Sequence, residues 1–199
     1  MVPEDWLRAQ IQGEVVALVH SHPGGLPWLS EADRQLQVQS DLPWWLVCRG
    51  ALHKFRCVPH LTGRRFEHGV TDCYTLFRDA YHLAGIEIPD FHREDDWWRN
   101  GQNLYLDNMA DTGFYPVTLS AAQPGDVLLC CFGSSVPNHA AIYCGDGELL
   151  HHIPEQLSKR ERYTDKWQRR THSLWRHRAW RASAFTGICN DLAAASTFV

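Results

Sequence analysis

The stretch GVTDCYTLFRDAYHLAG, residues 69–85, decides the fold, because it predicts one amphipathic helix with a cysteine in its first turn. Apolar side chains recur with the 3.6-residue period of a helix packed on a core. They are Cys73, Leu76, Phe77, Ala80 and Ala84. Asp72 is suited to the N-cap position, since its carboxylate can accept from free amides of the first turn. Gly85 is typical of the residue that follows a helix.

The thiol of Cys73 is the first candidate for chemistry in this sequence. The positive end of the helix dipole favours the thiolate, which is the nucleophilic form of cysteine. The alternative is a small core residue, which is the common fate of an intracellular cysteine. Position alone does not decide between these two interpretations, so the remaining motifs must do so.

Composition excludes several classes of protein. The chain has 199 residues, is 44% apolar and carries a net charge of -4, which predicts a globular protein without general attraction to nucleic acid. No apolar run approaches the ~18 residues of a membrane span. The first ten residues, MVPEDWLRAQ, have no apolar segment and predict no signal peptide. Seven irregularly spaced cysteines predict reduced thiols rather than a disulfide framework.

Alternating and apolar segments predict strands on both sides of the central helix. The predicted strands are 14–22, 42–48, 51–58, 123–132, 139–144 and 148–153, and a further helix begins after Ser30. Residues 59–65, PHLTGRR, are polar and predict a linker. We therefore divide the chain into residues 1–62, residues 63–185 and a loosely ordered tail at 186–199.

The segment 157–181 holds about half of the 19 Lys and Arg residues and three of the tryptophans. One interpretation is a docking surface for an acidic partner. The other is a solvated face whose Trp167, Trp175 and Trp180 cover the core. The alternating end of this segment, SLWRHRAW, predicts a last strand.

The segment HSHPGGLPWLSEAD, residues 20–33, carries the ligand set of a hydrolytic zinc. His20 and His22 share one face of a strand, and Asp33 follows in the first turn of the next helix. Two imidazoles and one carboxylate leave an open position for water. We expect Ser30 to direct its hydroxyl towards the oxyanion.

These residues resemble the JAMM or MPN-plus family of zinc metallopeptidases, which implies His20, His22 and Asp33 as metal ligands. That family also requires an upstream glutamate as general base. Glu14 would lie ~20 Å from His20 along a strand, and Glu4 is preceded by no further element. We therefore expect that the chain begins inside an MPN-like domain, with a weak zinc site at most and without metallopeptidase activity.

The hairpin HAAIYCGDGELLHH, residues 139–152, supplies the imidazoles that thiol catalysis requires. A three-residue loop places His139 and His151 on one face as diagonal neighbours within ~8 Å. A two-residue loop would shift the register by one residue and present His152 instead. The sequence predicts Cys73 as a nucleophile with the hairpin histidines as candidate partners, and it favours His151 over His152 as the one that shares a face with His139. The alternative is a histidine pair that only hydrogen-bonds in a core.

The segments TDCYTLF, PGDVLL, NHAAIY and ELLHH resemble the NlpC/P60 cysteine peptidases over residues 64–155. The resemblance implies a papain-like α+β fold with Cys73 as nucleophile, His139 as base and His151 as orienting residue, and no cofactor. Many members carry a tyrosine about a dozen residues before the cysteine. No tyrosine precedes Cys73, and Phe66 has no hydroxyl, so backbone amides near Cys73 are expected to stabilise the oxyanion.

An MPN-like part followed directly by an NlpC/P60 part resembles the tail assembly protein K family of lambda-like tailed phages. The overall fold class expected is α+β, with an incomplete MPN-like piece before the papain-like NlpC/P60 domain. The resemblance implies a thiol endopeptidase in the host cytoplasm, with tail tip and tail proteins as partners. Two alternatives stay open: a hydrolase of peptidoglycan stem peptides, and an assembly factor whose catalytic groups are dispensable. No nucleic acid or membrane partner is expected.

Overall fold

The computed structural model describes residues 3–196, which form two β-sheets and six α-helices. The helices are α1 (Pro3–Gln12), α2 (Glu31–Ser40), α3 (Cys73–Leu83), α4 (Leu104–Met109), α5 (Asp165–Gln168) and α6 (Phe185–Ser196). The strands are β1 (Leu18–Ser21), β2 (Trp44–Cys48), β3 (Ala51–Phe55), β4 (Phe114–Val117), β5 (Val127–Cys130), β6 (His139–Gly145), β7 (Glu148–His151), β8 (Lys159–Arg162) and β9 (Thr171–His177). Within the described part of the chain, no helix is both long and apolar enough to cross a membrane.

The first part of the chain forms a small sheet in the order β1-β2-β3. Strand β1 pairs with β2 in parallel, and β3 returns as the antiparallel hairpin partner that the sequence predicted. The strand expected over 14–22 begins only at Leu18, so Glu14 lies outside it. Ser30 caps α2 through a reciprocal capping box with Asp33, which confirms the predicted start of this helix.

The second part of the chain forms an antiparallel six-stranded sheet in the order β4-β9-β5-β6-β7-β8. Helix α3 packs against β6, and the main core fills the space between them. The central helix of the prediction is thus confirmed, with Asp72 as its N-cap. The first five residues of the alternating segment SLWRHRAW form part of the predicted last strand, since β9 ends at His177.

The hairpin between β6 and β7 decides which histidines share a face. Asp146 and Gly147 have φ angles of 50° and 69° and form a two-residue loop, typical of a type I′ turn. A bulge before Gly145 takes up one residue, so that Ile142 pairs with Leu150. A two-residue loop alone would have shifted the pairing by one residue. The bulge cancels this shift, so His139 and His151 share a face, as predicted for a three-residue loop.

The tail expected to be loose from residue 186 is instead the packed helix α6. Ile188 and Leu192 are buried in the main core, and α6 contacts both α2 and α3. A Cβ at Gly187 would lie 2.0 Å from the carbonyl oxygen of Leu83, so only glycine permits this close approach to α3. The expectation was wrong over 186–196, because small residues were taken for weak patterning. Residues 1–2 and 197–199 lie outside the described residues.

A buried ionic cluster ties α6 to the first part of the chain. Asp191 accepts from Arg34 Nε at 2.8 Å and from the Leu61 amide at 2.8 Å, and both charged side chains are fully buried. His60 Nδ1 lies 2.9 Å from the same carboxylate. Arg34 lies in α2, directly after the predicted metal ligand Asp33. The ionic cluster therefore also holds in place the helix that carries Asp33.

The tryptophans of the basic segment 157–181 pack into the fold. Trp167 and Trp180 are buried, and Trp175 packs partly against the main core. Arg176 forms a bidentate ion pair with the buried carboxylate of Asp126. These contacts favour the interpretation in which the tryptophans cover the core.

Candidate active site

Cys73 is the first residue of α3, and its position depends on the capping residue Asp72. The carboxylate of Asp72 accepts from the amides of Thr75 and Gly69, each at 2.9 Å, and from Arg93 Nε at 2.9 Å. Burial alone would raise the pKa of Asp72, but these hydrogen bonds and the charge of Arg93 outweigh burial and lower it. Asp72 is therefore an anion that fixes the start of the helix and, with it, the thiol.

Cys73 and His139 line the same cleft, which has a volume of about 620 Å³. Its aromatic lining consists of Phe66, Trp97, Trp98, Tyr105 and Phe132, and its polar lining includes His68, Asp95, Asp96 and Asn138. A concave apolar site with a few polar groups is typical of a ligand-binding cleft. The segment DDWWRNGQN, residues 95–103, supplies the two tryptophans and the two aspartates.

The Cys73 thiol is half-buried and protonated at neutral pH. Burial raises the pKa of Cys73 to about 11, and the charge of Asp72 adds to this increase. The Tyr105 hydroxyl and the Ala140 amide oppose it, since both stabilise the thiolate. Burial is the largest of these effects, so the thiolate that a helix N-terminus favours is not the resting form of Cys73. A base must accept the proton before the sulfur can attack.

His139 begins β6 and is neutral, as a general base must be. Asn138 holds the preceding loop, because its side chain exchanges hydrogen bonds with the backbone of Phe132 at 2.8 and 3.0 Å. Burial lowers the pKa of His139 to about 3, and the neighbouring His151 and His152 add to the decrease. Within residues 3–196, His139 Nε2 finds no hydrogen-bond partner. The imidazole is thus free to accept or relay a proton.

The two candidate orienting histidines are both buried, but they face different neighbours. The ring centroid of His151 lies 5.8 Å from that of His139, with the rings at 77°. The ring of His152 packs edge-on against Phe66 at 5.1 Å. His151 Nε2 also lies 3.2 Å from a carboxylate oxygen of Glu161. The geometry favours His151, and its role as the orienting residue stays a prediction.

Sequence reasoning missed Tyr105 as a neighbour of the thiol. Tyr105 belongs to α4, and its hydroxyl lies 3.4 Å from Cys73 Sγ. Burial raises the pKa of Tyr105 well above its usual value, so the hydroxyl stays a proton donor. No signal in the sequence marks this residue, because the irregular segment that brings it over the cleft has no periodic pattern. A side-chain hydroxyl therefore lies beside the thiol in addition to backbone amides.

His20, His22 and Asp33 meet as the sequence predicted, although β1 is short. The two Nε2 atoms are 3.0 Å apart, and they lie 3.3 Å and 3.1 Å from the Asp33 carboxylate oxygens. His22 Nδ1 lies 3.1 Å from the carbonyl oxygen of Leu26, to which it can donate, leaving Nε2 free as a ligand atom. The Asp33 carboxylate is held by the Ser30 amide at 2.8 Å.

Neither the Ser30 hydroxyl nor Glu14 contributes a ligand atom to this cluster. The Ser30 hydroxyl accepts from the Asp33 amide at 3.1 Å, so its oxygen serves as the helix cap. Glu14 lines a shallow groove with Trp6 and Leu42. Among the residues that the structure describes, the metal-ligand cluster contains the two histidines and the aspartate but no glutamate.

Comparison with known proteins gives one family match and two relatives that are similar over most or all of this chain. The profile of the NlpC/P60 family matches residues 63–176. The chain is 92% identical to the tail tip assembly protein K of Escherichia phage lambda over 199 residues, which is all of both chains. It is 34% identical to the protein of the same name from Escherichia phage N15 over 183 residues, 88% of this chain and 75% of that relative.

More distant matches cover only part of the chain. A protein of Mycobacterium bovis named "Probable endopeptidase" is 37% identical over 83 residues, 42% of this chain and 17% of the relative. Among solved structures, an NLP/P60 family protein of Staphylococcus aureus, described as similar to a lipoprotein, matches 59% of this chain and 37% of its own length. Its sequence identity is 18% and its TM-score is 0.44.

Proposed function

Because the chain belongs to the NlpC/P60 family and to the tail tip assembly protein K family, we propose that it is a cysteine endopeptidase acting during assembly of the phage tail tip. The observation that carries this proposal is the presence of a neutral thiol, Cys73, and a neutral imidazole, His139, in one aromatic cleft. The proposed place of action is the host cytoplasm. The proposed partners and substrates are tail tip and tail proteins.

In the proposed reaction, Cys73 Sγ attacks the carbonyl carbon of the scissile amide while His139 accepts the thiol proton. The tetrahedral intermediate collapses to an acyl-enzyme as His139 donates that proton to the leaving amine. His139 then takes a proton from water, which attacks the thioester and releases the carboxylic acid. The thiol regains its proton in the last step, so the enzyme returns to its starting state.

Donors that stabilise the developing oxyanion would come from two sources. The Ala140 amide and the Tyr105 hydroxyl both face the sulfur. Tyr105 is held by ring contacts with Tyr74 and Trp97, each at a centroid distance of 6.0 Å. A donor fixed before the reaction pays no reorganisation energy when the negative charge develops.

We also propose that residues 1–62 are an incomplete MPN-like piece and that His20, His22 and Asp33 hold zinc. The two Nε2 atoms lie 3.0 Å apart, and each lies 3.1 to 3.3 Å from one of the two Asp33 carboxylate oxygens, close to the ~3.4 Å edge of a tetrahedron with ~2.1 Å bonds. When bound, zinc would act as a Lewis acid on a coordinated water. Without a glutamate in the cluster, we expect a weak site and no metallopeptidase activity, and the cysteine site requires no cofactor.

The test is incubation of the purified protein and its Cys73→Ala variant with purified tail proteins and, separately, with purified sacculi. Mass spectrometry of the products identifies the bond that is cut. We expect new termini in a tail protein with the wild type only. Cleavage of sacculi alone would favour the alternative of a peptidoglycan stem-peptide hydrolase. No Cys73-dependent product from either material would favour an assembly factor whose catalytic groups are dispensable.

A further inference from the structure

Behind the cleft, the buried imidazole of His151 has a charged neighbour that the mechanism above does not use. His151 is 1% exposed, and its Nε2 lies 3.2 Å from Glu161 Oε1. The distance is that of a charge-assisted hydrogen bond, although its alignment falls short of one. Within the described part of the chain, neither ring nitrogen of His151 has another hydrogen-bond partner. Glu161 is therefore the group best placed to decide where the His151 proton lies.

The position of Glu161 follows from the sheet and from one tryptophan. Glu161 pairs with Leu149 across β7 and β8, so it is the diagonal neighbour of His151 on the same face. Trp167 Nε1 donates to Glu161 Oε1 at 2.6 Å. The same indole packs against His151 at a centroid distance of 4.6 Å and against His139 at 5.7 Å. One tryptophan thus supports both imidazoles and anchors the carboxylate.

The donor and acceptor properties of these groups indicate which ring nitrogen of each histidine carries a hydrogen. A carboxylate only accepts, so His151 Nε2 must carry the hydrogen that faces Glu161. A neutral His151 then has a lone pair on Nδ1. His139 Nε2 and His151 Nδ1 are both without a partner among the described residues, with the ring centroids 5.8 Å apart, so a closer approach of the two rings is needed for one to donate to the other. His139 with a hydrogen on Nε2 has its lone pair on Nδ1, which is the atom that we assign to receive the thiol proton.

We propose that Glu161 is a positioning residue that holds His151 in the Nε2–H tautomer and, through it, keeps His139 Nδ1 unprotonated for the Cys73 thiol. The proposal rests on the proposed cysteine peptidase function, because the thiol proton matters only if Cys73 attacks. It also distinguishes the two histidines, since His151 has this carboxylate partner and His152 packs against Phe66 instead.

Several charges surround His151, and the test must separate Glu161 from them. Lys159 on β8, Lys166 on α5, and the neighbouring His139 and His152 all oppose a positive charge on the ring. Glu161 alone among these groups favours it, and the carboxylate also contacts Lys159 Nζ at 3.3 Å. A tautomer measurement is therefore better suited than a stability measurement, since packing changes alone do not select one ring nitrogen.

The experiment uses the full chain labelled with ¹⁵N at histidine, and it records ring ¹⁵N–¹H spectra at neutral pH. The signals of His151 are assigned by their loss in His151→Asn. We expect the Nε2–H tautomer in the wild type and in Glu161→Gln, because the amide oxygen can still accept. In Glu161→Ala we expect a substantial population, about a third or more, with the proton on Nδ1, because no acceptor remains at Nε2.

The second readout is the alkylation rate of Cys73 by iodoacetamide at pH 8, followed by peptide mass spectrometry. We expect a decrease of about threefold to tenfold in Glu161→Ala and a smaller one in Glu161→Gln, which retains the acceptor but loses the charge. The matched control is Glu148→Ala, on the same strand pair, whose carboxylate contacts Arg160 at 3.8 Å. This control should leave both readouts unchanged.

Two results would overturn the proposal. One is a wild-type His151 with its proton on Nδ1, which can be measured even if Glu161→Ala does not fold. The other is a folded Glu161→Ala protein with the wild-type tautomer and the wild-type alkylation rate. Neither readout depends on turnover of a substrate, so failure of this proposal is distinct from failure of the proposed peptidase function.

Discussion

The Tyr105 hydroxyl lies 3.4 Å from Cys73 Sγ, although the two residues are 32 positions apart in the chain and belong to different helices. The NlpC/P60 resemblance led us to look for a hydroxyl before the cysteine, where this chain has Phe66 instead. In this chain the hydroxyl beside the thiol comes from α4, which follows Cys73 in the sequence instead of preceding it. The environment of the nucleophile thus depends on a segment with no recognisable motif.

Replacing Tyr105 with Phe should slow cleavage of the substrate by about tenfold to a hundredfold, somewhat less than is usual for loss of a full oxyanion donor. The ring packing is retained, so the melting temperature should change little. The hydroxyl lowers the pKa of Cys73, and its removal should raise that pKa further. The control is Tyr81→Phe, which removes a buried hydroxyl bonded to the Gly125 carbonyl oxygen. Equal loss of activity in both variants would assign the effect to packing.

The pH dependence of Cys73 alkylation should report a neutral thiol in the free protein. Since burial raises the pKa of Cys73 to about 11, the thiolate fraction should increase about tenfold per pH unit between pH 7 and pH 9. The measurement is the initial rate of iodoacetamide labelling of the Cys73 peptide. A rate that reaches its plateau below pH 8 would indicate a preformed thiolate–imidazolium pair, contrary to this account.

His22→Ala should abolish zinc binding, because it removes one of three ligands together with the contact between His22 Nδ1 and the Leu26 carbonyl oxygen. We expect the wild type to bind up to about one zinc ion per chain when it is titrated with zinc, measured by isothermal titration calorimetry. Cys73→Ala should bind as much as the wild type. The exposed His92 provides the control variant, His92→Ala. If His22→Ala retained the metal, the zinc would have to be held elsewhere.

Asp191→Asn should destabilise the fold by about 3–5 kcal/mol, because it leaves the buried guanidinium of Arg34 without its counter-ion. The pKa of Asp191 is lowered: burial alone would raise it, but the hydrogen bond from His60 and the charge of Arg34 outweigh burial. A lowered pKa means that this stabilisation is present above the unfolded-state pKa and is lost as pH falls through the folded-state pKa.

Denaturant unfolding at neutral and at acidic pH measures this contribution. The difference between wild type and Asp191→Asn should shrink as pH decreases. The exposed Asp107, in α4, is the matched control, and Asp107→Asn should be close to neutral. A constant difference at all pH values would contradict a charged Asp191 in the folded state.

Local patterns were sufficient to predict the elements that carry the candidate site. The capping of α3 by Asp72, the hairpin that carries His139 and His151, and the capping box of α2 all depend on residues close in sequence. Their register and start points follow from turn and cap chemistry, which is local. These elements were therefore predictable without knowledge of the tertiary contacts.

The features that sequence did not predict depend on distant contacts. Helix α6 is held by Asp191 and by the close approach at Gly187, neither of which gives a periodic signal. The raised pKa of Cys73 results from burial by other elements, which opposes the local dipole effect. Glu161 lay in a basic, alternating segment where nothing marks it as the neighbour of His151.

The most direct test of the central claim is complementation of a lambda phage that lacks its own tail tip assembly protein, the relative with 92% identity. Supplied in the host, the wild type and Cys189→Ala, which changes an exposed cysteine, should restore infective particles. We predict that Cys73→Ala, although folded and equally abundant, reduces the titre by at least about a hundredfold, since removal of a nucleophile abolishes covalent catalysis. A wild-type titre with Cys73→Ala would contradict the claim that the thiol is the functional group.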